Sequence, residues 1–434
     1  MDKISIFWFR RDLRLKDNHG LYQALESEKK VLPIFIFDED ILDLLENKYD
    51  KRVDFIVQAL QTLNSFLKSK NKGIKIFKGK PLEIYKKLTE NYEVEAVYCN
   101  EDYEPYAIKR DQEIADFLAS KNINFHQFKD QVIFHKDEIV KADKKPYTVY
   151  TPYSKLWLNE FQKIDLQGFP SEKKLDILLE IPFEELKIEY IGFQKTDLTF
   201  EVPEADLHII KTYEETRNFP AVKGTTQLGV HLRFGTISVR KLAKIAKENN
   251  LTFLKELIWR EFFMQILYHF PKVVNHSFKS KYDAIPWENN PEFLEKWKAG
   301  KTGFPIVDAG MRELNTTGFM HNRVRMITAS FLIKHLLTDW RIGEAYFAEK
   351  LMDYDLSANN GNWQWCASSG CDAAPYFRIF NPDEQQKKFD PDFKYIKKWI
   401  PEFGTKYYPK PIVEHKKARE KVLKVYKEAL DDLN

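Results

Sequence analysis

The chain is predicted to combine an α/β domain, built on a doubly wound parallel sheet, with a separate, mainly helical domain. Three observations predict this. Residues 1–130 alternate short apolar runs with helix-periodic segments. Across 131–199 the periodicity decays into charged and proline-containing stretches such as DKKP at 143–146, which reads as a connector. From 200 to 434 the pattern is helical.

In order, the apolar runs Ile4–Phe9 (ISIFWF), 31–37 (VLPIFIF), 74–77, 96–98 and Asn124–Phe128 read as strands. Helix-like segments fall between several of them, at 52–67, Pro81–Asn91 and 106–121. In 52–67 the residues Phe55, Ile56, Leu60, Leu63 and Leu67 share one face. Such alternation places a binding crevice at the carboxyl ends of the strands. No GxGxxG follows the first strand; Arg10-Arg11-Asp12-Leu13-Arg14 stands there instead. In the second half, 251–270 and 323–337 read as buried helices, and 391–399 and 415–430 as lysine-rich amphipathic ones.

The 434 residues carry 68 Lys+Arg against 65 Asp+Glu, a net charge of +3, so any basic surface is a local patch. Three cysteines without metal-ligand spacing exclude a disulfide framework and a Cys/His metal site. There is no apolar stretch of membrane-spanning length and no signal-peptide pattern at Met1–Ile6. The chain is expected to be a cytoplasmic monomer, beside the nucleoid if bacterial. Aromatic residues make up 15%, more than packing alone usually requires.

Five segments carry possible chemistry. The most informative is DYDLSANNGNWQW at 353–365, which joins two carboxylates, amides and two indoles. It reads as too polar for a core helix and suits a pocket for a flat polar ligand. The turn GTTQLG at 224–229 suits phosphate at a helix N-terminus, although a plain N-cap is the commoner meaning of such a turn. On 256–263 (ELIWREFF), Glu256, Arg260 and Phe263 share a helical face beside Trp259, which fits either base recognition or an intrahelical ion pair. In HNRVRM at 321–326, Arg325 suits an interior carboxylate. The run YFRIFNP at 376–382, followed by Gln385, Lys387 and Lys388, interleaves aromatic and basic residues, as a phosphate-backbone track or a solvated face.

Together these segments resemble the photolyase/cryptochrome family over nearly the whole chain. The resemblance rests on FWFRRDLRLKDN at 7–18, GKTGFPIVDAGMRELNTTGFMHNRVRM at 300–326 and DYDLSANNGNWQWCASSGCDAAPYFRIFNP at 353–382. It implies an antenna domain over 1–130, a connector over 131–199 and a helical FAD- and DNA-binding domain over 200–434. Tyr213, Thr225, Thr226, Gln227, Leu228 and Gly229 would hold the flavin's phosphates and ribitol; at Gly229 the family more usually has a serine. Arg325 would pair with Asp353, with Tyr354 and Asp355 on the flavin side and Asn359 at flavin N5. Trp363, Trp340 and Trp287 would form a photoreduction chain.

Within the family the chain is most similar to class I members that repair cyclobutane pyrimidine dimers, carbon–carbon lyases that transfer an electron from excited reduced FAD to a dimer flipped out of UV-damaged DNA. Glu256, Trp259, Arg260, Phe263, Asn322, Met326 and Trp365 would meet the lesion, and Arg323, Arg378 and Gln385 the backbone. The alternatives are a (6-4) photolyase, disfavoured because Asn322 breaks the histidine pair usual there, and a blue-light-sensing cryptochrome. For a second chromophore, Tyr106-Ala107 and Val274-Asn275 depart from the folate-binding pattern, while Asn100–Glu104 is more similar to members that bind a deazaflavin or FMN.

Overall fold

The computed structural model describes residues 3–431. The chain forms two compact units. The first holds the residues up to Ile139 with Trp157–Ala205 and Gln227–Glu248; the second holds Val140–Leu156, Asp206–Thr226 and the residues from Asn249 onward.

The first unit is built on five strands: β1 Ile4–Phe9, β2 Lys30–Asp38, β3 Lys75–Gly79, β4 Val94–Asn100 and β5 Asn124–Phe128. They pair in parallel in the order β3-β2-β1-β4-β5. β1 is buried along its whole length, which is why it reads as unbroken apolar sequence. The helices Lys51–Lys68, Pro81–Asn91 and Pro105–Ser120 follow the sequence expectation, started by the Asp50 cap and by prolines in the first turn. Helix His19–Glu26, capped by Asn18, is too short to have shown a period. The strand order reverses at β1, so the crevice opens where Arg10–Asp12 and Asn100–Glu104 leave β1 and β4.

The stretch 131–199 is more ordered than a connector: it carries helix Tyr150–Lys163, whose Pro152 lies in the first turn, where no backbone donor is lost. In the second unit, helix Leu251–His269 is apolar almost all round and correspondingly buried. The helix expected over 323–337 ends at Ser330 and passes into a π-turn, Phe331–His335, after which Leu337 adopts φ 47°.

The segment judged too polar for a core helix is one. Leu356–Ala367 is α-helical, with Asn359, Asn360, Trp363 and Gln364 buried. Two of its buried amides are paired with backbone from other segments. Asn360 Nδ2 and Gln364 Nε2 each donate to Val273 O at 2.9 Å, and Gln364 Oε1 accepts from the Phe278 N–H at 2.8 Å. A buried amide costs little once paired. Among the described residues no helix is long and apolar enough to cross a membrane.

Candidate functional site

The second unit gathers two groups of side chains. The first lies along helix Leu356–Ala367. Asp355 caps it, accepting from the Ser357 and Ala358 N–H groups. One turn on, Asn359 Nδ2 donates to Glu344 Oε1 at 2.8 Å and to Glu344 O at 3.1 Å. Both bonds use the amide's N–H side, and no described protein group donates to Asn359 Oδ1. Burial pushes the Glu344 carboxyl above its usual range, against the bond from Asn359. Arg325 meets Asp353 through two parallel bonds of 3.1 and 2.9 Å, and its Nε donates to Met320 O at 2.7 Å. This two-point fork fixes the orientation of the Asp353 carboxylate. Tyr354 packs against the same core as Trp363 and Trp340.

The second group centres on Glu256 and Trp259, one turn apart on helix Leu251–His269. Arg217 donates to Glu256, a partner the sequence reading does not name. Burial pushes the Glu256 carboxyl above its usual range, and Arg217 pulls it back. Tyr213 stands edge-on to Phe253, its centroid 5.2 Å away, and burial and the Glu256 charge raise its hydroxyl. Trp259 lies flat against Tyr150, with centroids 3.5 Å and planes 4° apart. Phe263, expected at the lesion, is only 6% exposed, and it packs so tightly on Gly361 that a Cβ there would strike its ring; we assign it to packing behind Trp259.

Arg323 donates to Asn218 Oδ1 at 2.7 Å and lies 4.5 Å over Phe389, but its buried Nε has no partner among the described residues. Burial, then the charges of Arg217 and Arg378, push this guanidinium below its usual value. A cation whose charged neighbours are also cations favours an anion. Arg378 is exposed and lies 6.0 Å over Trp365, while Gln385 is half-buried and Asn322 exposed on the first turn of its helix. Met326 Sδ is 3.6 Å from an Arg323 nitrogen.

The residues of the 224–229 turn are divided between the units. Gly224 has no room for a Cβ beside Thr216, and Thr225 and Thr226 are half-buried in the second unit. In the first unit, Gln227 adopts φ 52°, Leu228 precedes the helix and Gly229 opens it. That helix, Gly229–Arg233, has five residues, too short for the strong N-terminal dipole the sequence suggested.

Trp363 and Trp340 are buried in one core, with Trp287 packed on its edge. Gly343, one turn after Trp340, has no space for a Cβ beside the Trp363 ring. Trp297, which the sequence reading leaves out, contacts Trp363 directly with centroids 6.3 Å apart.

In the first unit, the crevice expected to face a second chromophore is laced by ion pairs. Arg10 holds Asp111 at 2.6 Å, Arg11 lies 3.0 Å from Asp102 and 3.1 Å from Glu104, and Asn100 Oδ1 accepts from the Gly20 N–H at 2.8 Å. The cavity between Arg10, Asn100, Asp102 and Asp130 is about 10 Å³, room for one water.

Sequence reasoning missed Arg217, Glu344 and Tyr150. A Glu on an amphipathic helix, an Arg at a helix end and a Tyr in a connector carry no local signal of a partner distant in sequence.

Comparison with known proteins supplies the relatives. The family described as DNA photolyase matches residues 5–173, and the FAD binding domain of DNA photolyase matches 253–406. The deoxyribodipyrimidine photo-lyase of Synechococcus sp. is 36% identical, spanning 94% of this chain and 93% of its own. The protein of that name in Escherichia coli is 36% identical, spanning 98% of each. Among solved structures, a bacterial class III photolyase from Agrobacterium tumefaciens superposes with a TM-score of 0.88 at 31% identity, covering 99% of this chain and 98% of that one. An archaeal photolyase from Sulfolobus tokodaii, solved with two FAD molecules, gives 0.84 at 35% identity, covering 98% and 99%.

Proposed function

The chain belongs to the DNA photolyase family, and from that premise we propose that it repairs cyclobutane pyrimidine dimers in UV-damaged DNA by light. The observation that carries the proposal is the Glu256–Trp259 pair beside an arginine cluster, in the unit that also holds the Asn359 amide.

The residues present fit FAD. The Asn359 carbonyl is a hydrogen-bond acceptor that no described protein donor uses, held in place by Glu344 through its amide. It would accept the N5 proton of the reduced ring, which favours the reduced form. Tyr213, Thr225 and Thr226 would hold the ribitol and phosphates, and the Arg325–Asp353 fork would steady the ring's polar edge. When bound, reduced FAD supplies the light-driven electron that opens the two carbon–carbon bonds of the dimer and is then regained. Trp363, Trp340 and Trp287 would restore the reduced state.

The protein's own residues do the rest. Arg323 and Arg378 would neutralise backbone phosphates, and Gln385 would hydrogen-bond to the backbone. Trp259 and Trp365 would stack on a dimer flipped from the duplex, a step made cheaper by its weakened pairing. Glu256, with its proton affinity raised by burial, is suited to hydrogen-bond a pyrimidine carbonyl and to stabilise negative charge there. His321 supports the dimer over the (6-4) lesion. Its Nδ1 accepts from the Arg323 N–H at 3.2 Å as a helix cap, and burial lowers it to about 4, so near neutral pH it is an uncharged imidazole and not the cationic acid that would protonate a lesion. A second chromophore in the first unit, a deazaflavin or FMN on the sequence reading, would be read out directly by an absorption spectrum of the purified protein.

The test is reduced protein with UV-irradiated DNA under blue light. Loss of cyclobutane dimers is expected. No loss with the flavin fully reduced rejects repair, and repair confined to (6-4) lesions rejects the dimer assignment.

A further inference from the structure

Trp259 is half-exposed, and a solvent-facing indole in a binding cleft ordinarily samples several rotamers. Here it is backed by a fixed plate. Tyr150 covers one of its faces, with centroids 3.5 Å and planes 4° apart, and is itself only 9% exposed. Tyr150 is tied at both ends. Its N–H donates to Asp372 Oδ2 at 3.2 Å, and its hydroxyl donates to Lys255 O at 3.0 Å, on the same helix turn that carries Glu256 and Trp259. Phe262 closes the stack edge-on, 5.8 Å from Tyr150 and 5.7 Å from Trp259. Burial and the Glu256 charge raise the Tyr150 hydroxyl, so it stays a neutral donor. A ring held at both ends is a buttress, not a lid that an incoming base displaces.

We propose that Tyr150 is a positioning residue for lesion recognition, holding the plane of Trp259 so that a flipped pyrimidine dimer stacks on the indole without reorganising it. The gain comes from pre-organisation: an indole already immobilised loses no rotamer freedom on binding. The hydroxyl bond to Lys255 O also ties the plate to the backbone beside Glu256, so stacking and hydrogen-bonding groups keep one spacing. The inference rests on the reading of Trp259 as a lesion contact.

The test is binding in the dark, by fluorescence anisotropy, to an oligonucleotide with one thymine dimer and to its undamaged counterpart. Tyr150→Leu keeps an apolar side chain without a plate and is expected to weaken dimer binding about tenfold. Undamaged DNA and FAD content should stay unchanged. Tyr150→Phe keeps the stack and is expected within about twofold of the parent. In a Trp259→Ala background, Tyr150→Leu should cost almost nothing further, because the two act as one unit. Equal loss on both DNAs, no loss from Tyr150→Leu, a Phe variant as weak as the Leu variant, or additive losses with Trp259→Ala would each overturn the proposal. If Tyr150→Leu fails to retain FAD, Tyr150→Met carries the same expectations. A parent protein that binds both DNAs alike counts against the repair reading itself, and that is seen before any variant is compared.

Discussion

Asn359 shows how one side chain's orientation depends on another. An amide can present either its N–H₂ or its carbonyl, and the two-point contact with Glu344 uses the N–H₂ and leaves the carbonyl for the proposed contact with N5. Glu344→Ala should therefore slow single-turnover repair by chemically reduced protein about fivefold to tenfold, the worth of one hydrogen bond. Glu344→Gln, which still offers an acceptor, should stay near the parent rate at equal FAD content. A Glu344→Ala rate equal to the parent's would show that the amide needs no partner. Trp363 has a comparable rival in Trp297, whose Nε1 is bound to Thr328 O at 3.1 Å and whose ring touches it. Trp363→Phe is expected to slow flavin photoreduction while chemically reduced protein still repairs. Trp297→Phe, measured by the same transient absorption, should leave photoreduction close to normal if the route runs through Trp340.

At the scale of elements, the two helices that carry the site meet through a glycine. Gly361 on Leu356–Ala367 lies against the Phe263 ring on Leu251–His269, with no room for a methyl group. Gly361→Ala should cost about 1–3 kcal/mol in urea denaturation, as overpacking does. The π-turn Phe331–His335 buries Lys334, whose Nζ lies 3.2 Å from Ser368 Oγ and 3.7 Å over the Tyr426 ring. Burial lowers this amine from 10.5 to about 7. The unfolded chain therefore binds more protons than the folded one between about pH 7 and 10.5, and stability from this group rises with pH across that window. Lys334→Met should remove the slope, shrinking the gain between pH 7 and 9 by on the order of 2 kcal/mol. An unchanged slope in melts at the two pH values would mean the lysine is charged and compensated.

Across the whole molecule, a net charge of +3 cannot hold DNA by bulk attraction, so affinity must come from local clusters. Binding to UV-irradiated DNA should weaken steeply with salt, and Arg323→Ala should reduce the slope of log K against log salt by about one. A slope unchanged by that substitution would take Arg323 off the phosphate backbone. The strands β1 to β5 and the longer helices between them, though not the short His19–Glu26, can be read from residues a turn apart, because apolar periodicity is set by the local chain. The family motifs were likewise visible as contiguous text. The polar segment 353–365 was misjudged because its helix is stabilised by partners such as Val273 and Phe278, roughly eighty to ninety positions back along the chain.

By itself the sequence determined the alternation of strands and helices, the helical second half and the family motifs that suggest which residue types would meet a flavin and a lesion. Only the tertiary structure decided that Arg217 holds Glu256, that Glu344 orients Asn359 and that Tyr150 backs Trp259. The reason is physical. Hydrophobic periodicity is written within a turn or two of chain, whereas burial, desolvation and the pairing of polar groups exist only once distant segments have packed together.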